Sequence, residues 1–288
     1  MSIFFKIILF ILGTCLGSFL NVCIWRLPRR LSIIKPASFC PKCNKPIKWH
    51  DNIPILNYIF LKGKCRYCQR KISFRYPLVE SICGFLVVIL YLKFDLSLTF
   101  LKYLFFFSFL IVVSFIDIDY HALPVYLCFL GIAAGLFFSI LESNLFDIFA
   151  DLAKIINFLQ TGKYPFFVSS FFRSSGGLIF GLGFVYLFKL FGDILIEIYL
   201  SLRKKDSIEG EKESLGLGDV DFIGMIGAFL GAKATVFVFF LAPFFALGYS
   251  IFALIFKKSH IIPYLPYLSL ASLVWFFFKD NILNFVFF

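Results

Sequence analysis

The sequence predicts an all-α polytopic membrane protein with about eight transmembrane helices and a cytoplasmic tetracysteine zinc loop. Three observations lead to this fold class. Of the 288 residues, 60% are hydrophobic and only 16% are charged, which leaves too little polar surface for a soluble domain of this size. Apolar runs long enough to cross a bilayer recur along the chain. Two C-x2-C pairs lie in a basic segment between the first two runs.

The predicted spans follow from the roughly 20 apolar residues that a bilayer crossing requires. They cover residues 3–24, 76–93, 98–116, 124–141, 175–200, 220–232, 234–256 and 261–278. The first run has features of a signal peptide, but it continues past Cys15 to a basic cluster, so we interpret it as an uncleaved span. The sixth is short, and Gly224, Gly227 and Gly231 give it a smooth face for close helix packing.

The segment 26–75 holds thirteen Lys and Arg and a single acid, Asp51. Nucleic-acid binding would explain such a patch, but a basic loop between two spans is what the positive-inside rule predicts for the cytoplasmic side. We therefore expect no nucleic-acid partner. With this loop in the cytoplasm, both termini lie outside. The end of the third span and the start of the sixth then lie at the same membrane face.

The two cysteine pairs are "CPKC" at 40–43 and "CRYC" at 65–68. Four thiolates at this spacing suit tetrahedral zinc, and four protein ligands leave no open position, so the ion is expected to be structural. A redox role for C-x-x-C is the alternative, but the loop lacks the βαβ pattern of thioredoxin-like proteins. The predicted ligands are Cys40, Cys43, Cys65 and Cys68.

Carboxylates lie at the ends of two predicted spans: Asp117 and Asp119 close the third, and Asp219 and Asp221 open the sixth. An acid at membrane depth is costly and indicates a functional site, although ordinary interfacial acids are the plain alternative. Two facing aspartates share a proton, which is the arrangement that aspartic peptide hydrolysis uses. A D-x-D-x-H metal site ending at His121 is disfavoured, because alternate residues converge on a strand and not on a helix.

The tetrapeptide "GLGD" at 216–219 is the G-x-G-D signature of intramembrane aspartyl proteases, and it accompanies "D-x5-L-P" at 117–124. Together with "GSFLNVCIWRLP" at 17–28 and "GAFLG" at 227–231, these motifs make nearly the whole chain resemble the bacterial prepilin peptidases, also called type IV leader peptidases. Many members of that family also carry a tetracysteine region. This chain departs from the family at Asp221, where the family usually has Lys.

The resemblance implies a membrane aspartic endopeptidase of the bacterial inner membrane, with its active site at the cytoplasmic face and Asp117 and Asp219 as the catalytic residues. It implies type IV prepilin or pseudopilin precursors as substrates, with the lipid bilayer as the surroundings. It also implies N-methylation of the new N-terminus from S-adenosylmethionine. The residues themselves do not predict that step, because no glycine-rich βαβ loop is present.

The predicted organisation has two parts. Residues 1–75 comprise the first span and the zinc loop, a region that the resemblance associates with methyl transfer. Residues 76–288 form the peptidase domain, with an amphipathic insertion at about 142–172 expected to lie in the membrane interface. The alternative function is a non-enzymatic transporter that uses its acids as a cation or proton path. That alternative explains the acids but neither the paired motifs nor the cysteines.

Overall fold

A computed structural model describes residues 3–121, 124–143, 147–149, 151–152, 154, 169–203, 215–255 and 263–287. The chain divides into two compact units, Met1–Leu123 and Pro124–Phe288, and each is described by itself. In the described ranges the regular structure is helical, and extended pairing is limited to two isolated bridges. The predicted all-α class is confirmed.

The first unit contains three long helices, α1 (Ile3–Arg26), α3 (Arg75–Phe94) and α4 (Leu98–Tyr120). Between α1 and α3 lie a 3-10 helix (Trp49–Asn52) and the short α2 (Leu56–Phe60). Helix α1 packs closely on α3 because Gly13 and Gly17 face it. A Cβ atom at Gly13 would lie 2.7 Å from the Cys83 carbonyl oxygen, so only glycine permits this approach.

The second unit is built around one short helix. Its elements are α5 (Val125–Glu142), α6 (Ser170–Arg203), α7 (Leu217–Leu230), α8 (Ala232–Ile255) and α9 (Leu265–Phe287). Helix α7 contacts all four of the others, and its residues 222–229 are buried. Because α7 is hydrophobic all round, it is suited to the centre of a bundle.

Glycines bring α6 and α7 into backbone contact. A Cβ atom at Gly227 would lie 2.3 Å from the Gly177 carbonyl oxygen, and one at Gly224 would lie 2.5 Å from the Leu182 side chain. The predicted close-packing face is thus confirmed for Gly224 and Gly227. Gly231 has a different role: it ends α7 with φ +85°, a conformation that favours glycine, and no atom lies within 4 Å of a Cβ built there.

Six helices in the described ranges are long and apolar enough to cross a membrane, so the predicted count of eight is approximate. All eight predicted spans coincide with helices, but α7 has only 14 residues and α9 is not among the six. Most of the 142–172 insertion lies outside the described residues. In its described part Asp151 is buried, and its carboxylate accepts a hydrogen bond from the Ser169 N–H at 2.7 Å.

Candidate active site and metal centre

Asp117 lies in the last full turn of α4 and is buried, with 8% of its surface exposed. The helix ends at Tyr120, and the next residue, His121, adopts the left-handed conformation with φ +49°. The His121 N–H donates to the Asp117 carbonyl oxygen at 2.9 Å and closes the helix end. The backbone of Asp117 is therefore fixed by the cap, while its carboxylate lies on the packed side of the helix.

Asp119 lies on another side of the same turn. Residues two apart on a helix point about 200° from each other, and Asp119 is exposed while Asp117 is buried. The Asp119 carboxylate pairs with the Arg75 guanidinium at the start of α3. The prediction that the two acids face different directions is confirmed. The pairing with Arg75 also counts against a D-x-D-x-H metal site, because a cation already occupies Asp119.

A second arginine holds the same helix end. The Arg29 guanidinium donates to the Trp25 carbonyl oxygen at 2.7 Å and to the Tyr120 hydroxyl. It lies 4.4 Å from the centre of the Trp25 ring and 5.0 Å from that of Tyr120, within the range of cation–π attraction. The basic segment therefore fastens the turn that carries Asp117. Sequence reasoning treated these arginines only as a topology signal.

Asp219 lies in the first turn of α7. Its Oδ2 accepts a hydrogen bond from the Gly216 N–H at 3.2 Å, so the G-x-G-D motif forms the helix cap. The positive end of the helix dipole favours a carboxylate at this position. Asp221 and Asp219 both lie within electrostatic reach of the Cys128 thiol of α5, and Asp219 also lies within reach of the Tyr264 hydroxyl. The motif glycines thus place a half-buried acid in the first turn of a central helix.

The two predicted catalytic residues belong to different units, Asp117 to the first and Asp219 to the second. Each is at a helix end, one at a C-terminus and the other at an N-terminus.

The four predicted metal ligands converge. The sulfur atoms of Cys40, Cys43, Cys65 and Cys68 all lie within 4.8 Å of one another, and those of Cys40 and Cys68 are 3.9 Å apart. A tetrahedral zinc site with Zn–S bonds of about 2.3 Å separates its sulfurs by roughly 3.8 Å. The donor set and its spacing therefore fit zinc. Cys40 and Cys68 come from different C-x-x-C pairs, as expected for a shared ion rather than for two separate redox pairs.

The two cysteine pairs form matching knuckles. In the first, the Cys40 N–H donates to the Lys45 carbonyl at 3.0 Å, and the Asn44 N–H donates to the Cys40 carbonyl at 2.8 Å, with φ +55° at Asn44. The second knuckle repeats both bonds and the positive φ with Cys65, Arg70 and Gln69. This repeat explains why the C-x2-C spacing alone predicted the cluster, because each knuckle is a local turn.

The thiols of the cluster differ in acidity. The backbone N–H of Cys68 stabilises the Cys65 thiolate and lowers the pKa of Cys65 to about 7. Burial, together with the hydrogen bond to Cys65, raises the pKa of Cys40 to about 11. The thiolate is the form that binds metal.

Comparisons with known proteins agree with the motifs. Residues 11–94 match the Bacterial Peptidase A24 N-terminal domain, and residues 104–251 match the type IV leader peptidase family. The second match alone covers about half of the chain. No solved structure matches.

Three relatives illustrate the range of similarity, and each carries the name prepilin leader peptidase/N-methyltransferase. The protein from Klebsiella pneumoniae is 33% identical over 78% of this chain and 85% of its own length. That from Myxococcus xanthus is 31% identical over 83% of this chain and 60% of its own length. That from Bacillus subtilis is 28% identical over 96% of both chains. The chain therefore belongs to the type IV leader peptidase family.

Proposed function

We propose that this protein is an inner-membrane aspartic endopeptidase that removes the leader of type IV prepilin or pseudopilin precursors at the cytoplasmic face. Asp117 and Asp219 form the catalytic pair in this proposal, and the new N-terminus is then methylated. The observation that carries it is the placement of the two motif acids. Asp117 is a buried carboxylate at a capped helix end, and Asp219 is held by its own glycine motif on the central helix α7.

In hydrolysis by this pair, one carboxyl group acts as the base and the other as the acid. The ionised one removes a proton from water as the water oxygen bonds to the peptide carbonyl carbon. The protonated one donates a hydrogen bond, then its proton, to the carbonyl oxygen. Collapse of the tetrahedral intermediate breaks the C–N bond, and the leaving amine takes a proton. A buried site strengthens each of these interactions because water is excluded.

The cytoplasmic location rests on charge. The segment 26–75 is the most basic part of the chain, and its residues Arg29 and Arg75 contact the end of α4 beside Asp117. The positive-inside rule assigns such a segment to the cytoplasm. Asp117 then lies at the cytoplasmic end of its span. A precursor whose apolar helix lies in the bilayer approaches this end laterally.

The positions of the same acids argue against the transporter alternative. A cation or proton path needs acids along the length of the spans. Here the motif acids are at helix ends, Asp219 within a helix cap and Asp117 one turn before a C-terminus. The family of this chain is one of peptidases.

The cofactors have separate roles in this proposal. Zinc held by the four cysteines is structural, because the cluster supplies every ligand of a tetrahedral ion. S-adenosylmethionine, if bound by the region of residues 1–75 that the family resemblance associates with methyl transfer, would supply the methyl group that replaces a proton on the freed N-terminal amine.

The test of the peptidase is a set of three amide substitutions, one at each proposed catalytic aspartate and one at Asp119, in the same helical turn as Asp117. We expect Asp117→Asn and Asp219→Asn each to abolish leader cleavage of a co-expressed prepilin, because an amide neither ionises nor donates a carboxyl proton. We expect Asp119→Asn to retain most activity, since Asp119 points away from Asp117 on the helix and its pair with Arg75 lies outside the proposed dyad. Cleavage is measured by the mobility shift of the pilin, with variant protein quantified in the membrane fraction.

Full cleavage by an Asp117→Asn enzyme that is present at normal amounts would overturn the aspartic mechanism. Equal loss in the Asp117 and Asp119 variants would show that the turn as a whole, rather than one carboxylate, is required.

A further inference from the structure

A buried lysine lies in the membrane-spanning helix α6. Lys189 is only 5% exposed, and its Nζ pairs with the Asp193 carboxylate, one turn further along, at 3.0 Å. Lys189 is about 28 Å from the first residue of α6, close to the roughly 30 Å thickness of the hydrocarbon core of a bilayer. A lysine at such an edge normally extends its ammonium into water. The burial of Lys189 within the protein instead indicates a function.

Contacts between α6 and α7 show which part of α7 lies beside Lys189. A Cβ atom at Gly177 would lie 2.3 Å from the Gly227 carbonyl oxygen, and one at Gly181 would lie 3.3 Å from the Ile223 carbonyl oxygen. The two helices therefore run antiparallel, and each step of four residues forward along α6 moves four residues back along α7. Two further steps of this kind bring Lys189 level with the start of α7.

Lys189 also lies on the side of α6 that faces α7. A Cβ atom at Gly224 of α7 would lie 2.5 Å from the Leu182 side chain and 3.4 Å from that of Leu178. Along α6, Leu178, Leu182, Val185 and Lys189 follow one another at intervals of four, three and four residues, which places them on one face of the helix. Val185, between the leucines and the lysine, is fully buried. Lys189 therefore continues the face that packs on α7.

The start of α7 is rich in negative charge. Asp219 and Asp221 are two residues apart there, and like charges this close oppose each other's ionisation. The Asp219 carboxylate folds back toward the first residues of the helix, since its Oδ2 accepts the Gly216 N–H at 3.2 Å. That direction brings the carboxylate to the level of Lys189. Asp193 lies one turn further away along α6, so the ammonium is the nearer of the two paired charges.

The other helices packed against α7 place neutral groups at this end. Cys128 of α5 and Tyr264 before α9 lie within electrostatic reach of Asp219, and both residue types are ordinarily neutral at pH 7. Trp275 of α9 contacts Phe237 near the start of α8, which follows the end of α7. The charged residues of α5, α8 and α9 in the described ranges therefore lie toward the opposite end of α7: Glu142, Lys233, Lys279 and Asp280.

We propose that Lys189 is a positioning residue for Asp219, an inference that rests on the proposed function. The ammonium favours the ionised form of this carboxylate, so Asp219 is the member of the catalytic pair that takes the proton from water. The positive end of the α7 dipole acts in the same direction. Asp193 holds the ammonium in place and offsets the cost of burying it.

Two substitutions that break the same ion pair from opposite sides test this assignment. Lys189→Met removes the cation but keeps a side chain of similar length, whereas Asp193→Asn removes the anion and leaves the cation. Rates of prepilin cleavage by the purified full-length variants are measured across acidic and neutral pH. We expect the acid limb of the Lys189→Met profile to move up by on the order of one pH unit, because Asp219 without the cation holds its proton more tightly. The Asp193→Asn profile should not move up, since its cation remains.

Glu197→Gln supplies the control, because Glu197 is exposed one turn beyond Asp193 on the same helix, and its profile should match that of the parent. The position of a limb does not depend on how much of a variant is folded, so a lower yield does not hide the result. An unmoved limb in Lys189→Met, a uniform loss of rate at every pH, or an equal upward shift in Asp193→Asn or Glu197→Gln would overturn the role of Lys189. An Asp219→Asn enzyme that still cleaves would refute the proposed function itself. An inactive Asp219→Asn enzyme beside an unmoved Lys189→Met profile refutes this inference alone.

Discussion

The contact between α6 and α7 allows a sharp test of how Asp219 is positioned. Gly177 and Gly227 meet backbone to backbone, and a Cβ atom at Gly177 would lie 2.3 Å from the Gly227 carbonyl oxygen and 2.7 Å from the Gly231 Cα. Beside this contact the Ser174 hydroxyl donates to the Ala228 carbonyl. We predict that Gly177→Ala disturbs both the stability of the second unit and the rate of prepilin cleavage.

The magnitude follows from the distances. Ordinary Cβ contacts begin at about 3.4 Å, so the added methyl group requires the two backbones to separate by about 1 Å. Both atoms that the methyl meets are backbone, which no rotamer change can move. Overpacking of this kind costs about 1–3 kcal/mol. A 1 Å displacement of a catalytic group reduces a rate by about 100-fold, and α7 carries Asp219.

The preceding residue supplies the control. A Cβ atom at Gly176 has no atom within 4 Å, so Gly176→Ala adds a methyl group to the same helix in open space. Alanine is favoured over glycine in a helix by about 1 kcal/mol, so this variant should be as stable as the parent or slightly more so. The assays are thermal unfolding of the purified proteins and initial rates of prepilin cleavage.

Equal behaviour of the two alanine variants would refute the reasoning, because it would mean that α6 and α7 do not make this contact in the working enzyme. Loss of stability in Gly177→Ala without loss of cleavage rate would leave the packing argument intact. It would show that this packing does not position Asp219 for cleavage.

Two further predictions concern the metal centre and the departure from the family. Purified protein should contain about one zinc per chain. The Cys40→Ser variant should lose the zinc and give a lower protein yield, whereas the control Cys15→Ser on α1 should keep it. Metal analysis that finds no zinc, together with disulfides within the pairs, would favour the redox alternative. Asp221→Lys should fold and cleave prepilin within about tenfold of the parent, a barrier change of about 1.4 kcal/mol or less. A well-folded Asp221→Lys enzyme as inactive as Asp219→Asn would show that Asp221 takes part in the chemistry.

Features that depend on neighbouring residues could be predicted from the sequence. The helix predicted over 98–116 is α4, Leu98–Tyr120, and the cysteine cluster formed from two local turns as its spacing indicated. The opposite environments of Asp117 and Asp119 follow from helix geometry alone. The helix, each knuckle and the directions of the two acids are set by interactions within one turn of the chain, whereas the meeting of Cys40 with Cys68 is a long-range contact.

Contacts between distant helices could not be predicted in the same way. The close approach to Gly177 depends on how α6 is rotated, and the apolar residues of α6 are spread around the helix, so they give little periodic signal for its buried face. The helix α6 also begins and ends beyond the predicted 175–200, at Ser170 and Arg203. Glycine spacing on α7 predicted a close-packing face but did not identify its partner.

The basic segment has two roles, one in membrane topology and one in specific contacts of its arginines. Its net positive charge is a topology signal that any arginine or lysine would provide. The contacts of Arg29 and Arg75 are more specific: a planar guanidinium stacks between Trp25 and Tyr120, and another pairs with Asp119. A lysine would keep the charge but lose the stacking geometry. The arginines therefore connect the two ends of the basic segment, beside α1 and α3, to the helix turn that bears Asp117.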